Sequence, residues 1–153
     1  MDSRHLAHQF LTERGVVTLV TVDRQGYPTG RRVGFVNDDF VCWVPTPKGA
    51  VKLRQLARQP KALLVAFDPT TLKYLQVKAD VTVIDDPDLV WSVRERYAEK
   101  YPRTRASLTP ESRDQYVVLK LTPREVRADS IPAPGQSTCL SAAELTADTP
   151  VPH

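Results

Sequence analysis

Between Val16 and Val44, three runs of β-branched and aromatic residues are separated by turns too short to carry a crossover. Val16 to Val22 reads as a strand, and Asp23-Arg-Gln-Gly-Tyr-Pro as a turn in which Gly26 can take positive φ. Arg31 to Val36 reads as the returning strand, Asn37-Asp38-Asp39 as a second turn, and Phe40 to Val44 as a third strand. Parallel neighbours need a connection of about a dozen residues or more. These strands therefore pair as antiparallel hairpins, and a doubly wound βαβ sheet is excluded for this half of the chain.

The remaining segments fit the same class. Ser3 to Arg14 predicts a short amphipathic helix, with Leu6 and Phe10, and Ala7 and Leu11, at i,i+4, ended by Gly15. Lys48 to Arg58 predicts a second helix, ended by Pro60. Ala62 to Phe67 is almost wholly apolar, as expected of a strand covered on both faces. Lys73 to Ile84 is a long alternating strand. Asp86 and Pro87 then cap and open a third helix that runs to about Tyr101-Pro102. Residues 103–114 are polar and read as a mobile loop. Gln115 to Leu121 is a further strand, which Glu125 to Ala128 can extend. From Ser130 the chain is rich in Pro, Ser, Thr and Ala and reads as extended or disordered, or as lying across a partner subunit. The expectation is an α+β protein: a closed or sandwiched antiparallel sheet of six to seven strands with three flanking helices. One domain covers residues 1–129, and a tail covers 130–153.

A chain of 153 residues suits one core. No apolar run approaches the ~20 residues of a membrane span, and the amino terminus lacks a signal-peptide core, so a cytoplasmic protein without membrane partners is expected. The net charge of +3 and pI of 9.0 fit an anionic ligand of some kind. Cys42 and Cys139 form neither a CxxC nor a zinc pattern.

Two places carry candidate chemistry. The first is the corner where a strand ends, a Pro/Gly loop follows and a basic helix opens. Thr46, Lys48, Gly49 and Lys52, with Arg54 further along, could hold a phosphate through cations, a hydroxyl and free helix N–H groups. The same residues would also make a strand–turn–helix with solvated lysines. A helix starting at Lys48 would make Lys48 and Lys52 i,i+4 neighbours, which favours an anion between them. The second is Gly30-Arg31-Arg32-Val33-Gly34. Adjacent arginines on a strand point to opposite faces, so one can face a cleft; a charge-protected edge strand is the alternative. His5 and His8 have no further ligands to complete a metal site. No nucleophile pattern is present. Anion-binding corners without an acid–base cluster point to chemistry borrowed from a cofactor. No basic run is longer than Arg31-Arg32 and aromatics are 7%, which gives nucleic-acid binding little support.

Leu19-Val-Thr-Val-Asp-Arg-Gln-Gly-Tyr-Pro, Val33-Gly-Phe-Val, Trp43-Val-Pro-Thr with Lys48-Gly-Ala-Val-Lys-Leu-Arg-Gln-Leu, Asp86-Pro87 and Lys120-Leu-Thr-Pro-Arg-Glu-Val-Arg follow in an order that resembles the pyridoxamine-phosphate-oxidase-like split β-barrel superfamily over about residues 5–129. Within it the chain looks most like the deazaflavin-dependent reductases that use coenzyme F-420; other branches use FMN. The resemblance implies a homodimer with cofactor sites at the interface and a small-molecule substrate. It implies hydride transfer between the cofactor and a small organic acceptor, or cofactor binding without turnover. It would place the cofactor phosphate against Thr46, Lys48, Gly49, Lys52 and Arg54, and the ring near Arg31, Arg32 and Val33. Tyr74 and Gln76 of the other subunit would close the site; the catalytic residue is left unassigned, with Tyr74 or solvent as the candidate proton donor. Gln55 stands where such proteins often carry Asn.

Overall fold

A computed structural model describes residues 2–146. The order of elements is α1 (Ser3–Thr12), β1 (Val17–Val22), β2 (Pro28–Val33), β3 (Val36–Asp38), β4 (Val41–Pro47), α2 (Val51–Arg58), β5 (Lys61–Asp68), β6 (Lys73–Ile84), α3 (Pro87–Lys100), β7 (Tyr116–Asp129), β8 (Ser137–Ser141) and α4 (Ala142–Thr146). Two 3-10 turns, Pro102–Ser107 and Pro110–Ser112, precede β7. All pairings are antiparallel, in the order β2-β1-β5-β6-β7-β4-β3, with β8 also on β7.

The two end strands of that order, β2 and β3, are consecutive in the chain, with only Gly34 and Phe35 between them. So short a link forces the sheet to curl until its ends approach, which closes a barrel. One core fills it: Leu19, Phe35, Phe40, Leu64, Leu75, Leu119 and Leu121, plugged by Ala7, Phe10 and Leu11 of α1 and Leu56 of α2. A smaller cluster, Val36, Val90, Val93 and Val118, seats α3 on the outside.

Several local expectations are corrected. The strand foreseen over Arg31–Val36 breaks at Gly34-Phe35, because the Phe35 N–H is taken by the Tyr101 hydroxyl at 3.0 Å rather than by a strand. β4 runs through Pro45 to Pro47. At that end it pairs only with β7, and the Lys48 N–H reaches Gln115 O at 3.0 Å. By alternation, Pro45 and Pro47 turn their missing donors to the unpaired side. The helix consequently starts at Val51, not Lys48. The segment foreseen as a mobile loop holds two 3-10 turns, Pro102–Ser107 and Pro110–Ser112, tied together by buried Arg94. Its guanidinium donates to Ser107 O at 2.9 Å and Ser112 Oγ at 3.0 Å and stacks on Tyr116. The segment after Asp129 returns as β8 on β7, with Ile131, Leu140 and Leu145 in the core. Three apolar residues at the right spacing outweigh a polar composition. Residues 147–153 of the tail lie outside the described residues. Among the described residues no helix is long and apolar enough to cross a membrane.

One buried cation stands under strain. Lys100 Nζ is buried without a hydrogen-bond partner and lies 3.6 Å from the Phe35 ring centroid. Burial pulls its pKa from 10.5 down to about 8. The unfolded chain then holds this proton more tightly than the folded one, so the penalty is full below pH 8 and fades as pH rises toward 10.5. Lys100→Met should raise Tm at pH 7 by a few degrees, with the gain over wild type shrinking above pH 8. Cys42, whose pKa burial raises to about 12, lowers stability above pH 9.0 and feels the Lys100 charge, so the two proteins are compared between pH 7 and pH 9.0. A pH-independent difference in thermal melts would contradict this.

Candidate functional site

Alternation along β1 puts Val17, Leu19 and Thr21 on the inner face, and in β2 it turns Thr29, Arg31 and Val33 inward. Register sets Thr21 opposite Thr29 and Leu19 opposite Arg31. α2 packs over this end of the sheet with Gln55 and Leu56 on its buried side. The Arg31 guanidinium is therefore clasped. It donates to Thr21 Oγ1 at 2.8 Å, Thr29 Oγ1 at 2.9 Å and Gln55 Oε1 at 3.2 Å. Both threonine hydroxyls in turn donate to Gln55 Oε1.

Lys52 lies three positions before Gln55, on the same face of α2. Its pKa is lowered by burial and by the Arg31 charge, and burial lowers that of Arg31. Among the described residues neither cation pairs with a carboxylate, whereas Arg4, Arg96 and Arg113 are held by Asp39, Asp38 and Asp88. Beside them α2 begins at Val51 with no side-chain cap; Leu53 N–H is taken by Ala50 O at 3.1 Å, which leaves the N–H groups of Val51 and Lys52 at the open end of the first turn. Two cations, free helix amides and no carboxylate form a donor set that fits a phosphate.

The other anticipated residues divide. Lys48 and Gly49 are exposed in the turn before α2, and a Cβ on Gly49 would meet open space. The like charge beside Lys52 is thus Arg31, not Lys48 at i,i+4. Arg54 is exposed, two residues from Lys52 and so on the opposite side of the helix. Thr46 is fully buried and its hydroxyl donates to Val44 O at 3.2 Å, so the hydroxyl faces the interior rather than the corner. Arg32 projects outward, opposite to Arg31, at an open cleft of about 400 Å³ lined by Val16, Arg32, Val33 and Gly34. Tyr74 and Gln76 lie on the outer face of β6, hydrogen-bonded to one another at 2.8 Å. Register runs Arg32–Thr18–Val65–Gln76 across the sheet. Three strand spacings, roughly 14 Å, separate Arg32 from Gln76, so one chain does not bring them together.

Sequence reasoning missed Thr21, Thr29 and Gln55 as members of the site. One signal existed: Thr21 is a polar residue at the inward position of an otherwise apolar strand face.

A seam-closed antiparallel barrel with helices over its ends and a part-buried pair of cations without a carboxylate defines a split-barrel protein of the α+β class. The sequence profile of the pyridoxamine 5'-phosphate oxidase family matches residues 4–129, and the chain belongs to that family. Three solved structures share the fold. A heme binding protein from Mycobacterium smegmatis has TM-score 0.76 and 16% identity, covering 95% of this chain and 60% of its own. An F-420 reductase has TM-score 0.66 and 21% identity, covering 78% of this chain and 94% of its own. General Stress Protein 26 from Bacillus anthracis has TM-score 0.65 and 19% identity, covering 89% and 99%. At these identities the likeness shows the fold alone. No curated protein matches the chain.

Proposed function

We propose that the chain binds a phosphate-bearing flavin-type cofactor, coenzyme F-420 or FMN, and supports hydride transfer to a small organic acceptor. The observation that carries this reading is the Arg31–Lys52 pair: two part-buried cations, Arg31 on β2 clasped by neutral groups and Lys52 in the first turn of α2, matched by no carboxylate among the described residues. The bound ring supplies the hydride chemistry. Arg31 and Lys52 hold the phosphate end. Arg32, on the other face of the same strand, steadies negative charge at the open cleft. Tyr74 and Gln76 reach that cleft from a second copy. The outer face that carries them also exposes Val16 at 56% and Phe67 at 53%, apolar surface that a homodimer would cover.

A second reading, a cofactor-binding protein without turnover, is favoured by one feature: besides Arg32, the cleft is lined by Val16, Val33 and Gly34, with no acid–base group. Fluorescence titration with FMN and F-420, followed by turnover of the reduced cofactor against a panel of acceptors, separates the two. Binding of neither cofactor sinks both. Lys52→Ala should weaken cofactor binding about tenfold, equivalent to ~1.4 kcal/mol; unchanged affinity would remove Lys52 from the phosphate site.

A further inference from the structure

Burying a guanidinium usually brings a carboxylate to it. In this chain part-buried Arg4 follows that rule, whereas buried Arg94 and part-buried Arg31 are held by neutral acceptors, and of these two Arg31 has a second cation, Lys52, beside it. The three acceptors of Arg31 are Thr21, Thr29 and Gln55, all uncharged. A glutamate at 55 would offer acceptor oxygens from the same side-chain length and make a charge-assisted pair. The neutral amide instead leaves the Arg31 charge uncancelled, at the cost of repulsion felt by Lys52.

Gln55 also has its orientation dictated. Its Oε1 accepts from Thr21, Thr29 and Arg31. The amide flip is therefore settled, and the Nε2 donors on the other arm have no protein partner among the described residues. Arg31 uses three of its five N–H donors in the clasp, which leaves two. The groups that Arg31, Lys52 and Gln55 have left over in this corner are guanidinium, ammonium and amide N–H groups, all donors. A ligand end that satisfies them must be all acceptor and negatively charged, as an ionised phosphate is.

We propose that Gln55 is a positioning residue whose neutrality, as much as its shape, reserves the Arg31–Lys52 charge for the ligand's phosphate; this rests on the cofactor reading above. Gln55 locks the guanidinium plane through its carbonyl without titrating away the field that the phosphate meets.

The test measures phosphate selectivity: the ratio of affinities for FMN over riboflavin, and for F-420 over its phosphate-free chromophore, by fluorescence titration on the full-length protein. Gln55→Glu keeps the acceptors and adds a charge. Its selectivity should fall at least tenfold, while Tm stays level or rises. Gln55→Met keeps the charge and loses the acceptors. Its Tm should fall, yet it should retain more selectivity than Gln55→Glu. A purely structural Gln55 gives the reverse order, with glutamate mild and methionine severe on both scales. Thr29→Asp brings a carboxylate to Arg31 from the half-buried strand position and should also lower selectivity, so a folding defect at 55 does not silence the test. If the wild-type ratios are near one, or neither pair binds, the cofactor reading itself fails and the inference with it. If wild type is selective and both acidic variants keep its ratio within twofold, the inference alone is overturned.

Discussion

Arg31→Ala is expected to weaken binding of FMN or coenzyme F-420 about a hundredfold while leaving the phosphate-free chromophores within about threefold of wild type. Truncating one partner of a desolvated charge pair costs about 2–5 kcal/mol, and a hundredfold is ~2.7 kcal/mol. The effect falls on the phosphate end, because Arg31 points to the inner face, away from the cleft at Arg32 and Val33. The unliganded protein should lose little stability. Three hydrogen bonds go, but so does the repulsion that lowers the Lys52 pKa, and Thr21, Thr29 and Gln55 remain bonded to one another. Lys52 should then titrate closer to its ordinary value. Equal loss of affinity for FMN and riboflavin would show that Arg31 acts on the ring or on the fold instead. Because the wild-type contact is electrostatic, its advantage should also shrink with added salt.

Gly34→Ala should destabilise the fold by about 2–3 kcal/mol, the upper part of the range for overpacking, and lower Tm by about 5–10 °C. Gly34 lies at the barrel seam. A Cβ there would overlap the Tyr97 hydroxyl and stand 3.0 Å from Tyr101 Cζ. Tyr101 cannot yield: its hydroxyl donates to Gly15 O at 2.7 Å and accepts from Phe35 N at 3.0 Å. Tyr97 is stacked on it with ring centroids 4.4 Å apart. Adding Tyr97→Phe removes the overlapping oxygen and should restore part of the loss. A thermal melt of Gly34→Ala within a degree of wild type would contradict this packing account. The prediction does not depend on the cofactor reading, since the seam joins β2 to β3 whatever the site binds.

Much of the strand pattern was legible in the chain because alternation and turn chemistry are local. Val16 to Val22, the Gly26 turn and the long Lys73 to Ile84 strand all announce themselves within a few residues. Opposed directions for Arg31 and Arg32 follow from the same period of two. Where the reading erred, distant residues decided. Pro45 and Pro47 look like strand breakers until β7 lies on one side of β4 and nothing on the other. The Arg31–Val36 run looks continuous until Tyr101, 66 residues away from Phe35, takes the Phe35 N–H. The tail after Asp129 looks polar until β7 offers a free edge for Ser137–Ser141.

The site divides in the same way. Sequence alone marked a cationic strand and a cationic helix start, because charge and spacing are properties of the chain. That Lys52 meets Arg31 rather than Lys48, that Thr46 faces inward, and that Thr21, Thr29 and Gln55 gather on one guanidinium were decided by how α2 settles across β1 and β2. That placement is set by burying Leu56 in the barrel core, and a packing contact between segments more than thirty residues apart leaves no mark in local periodicity.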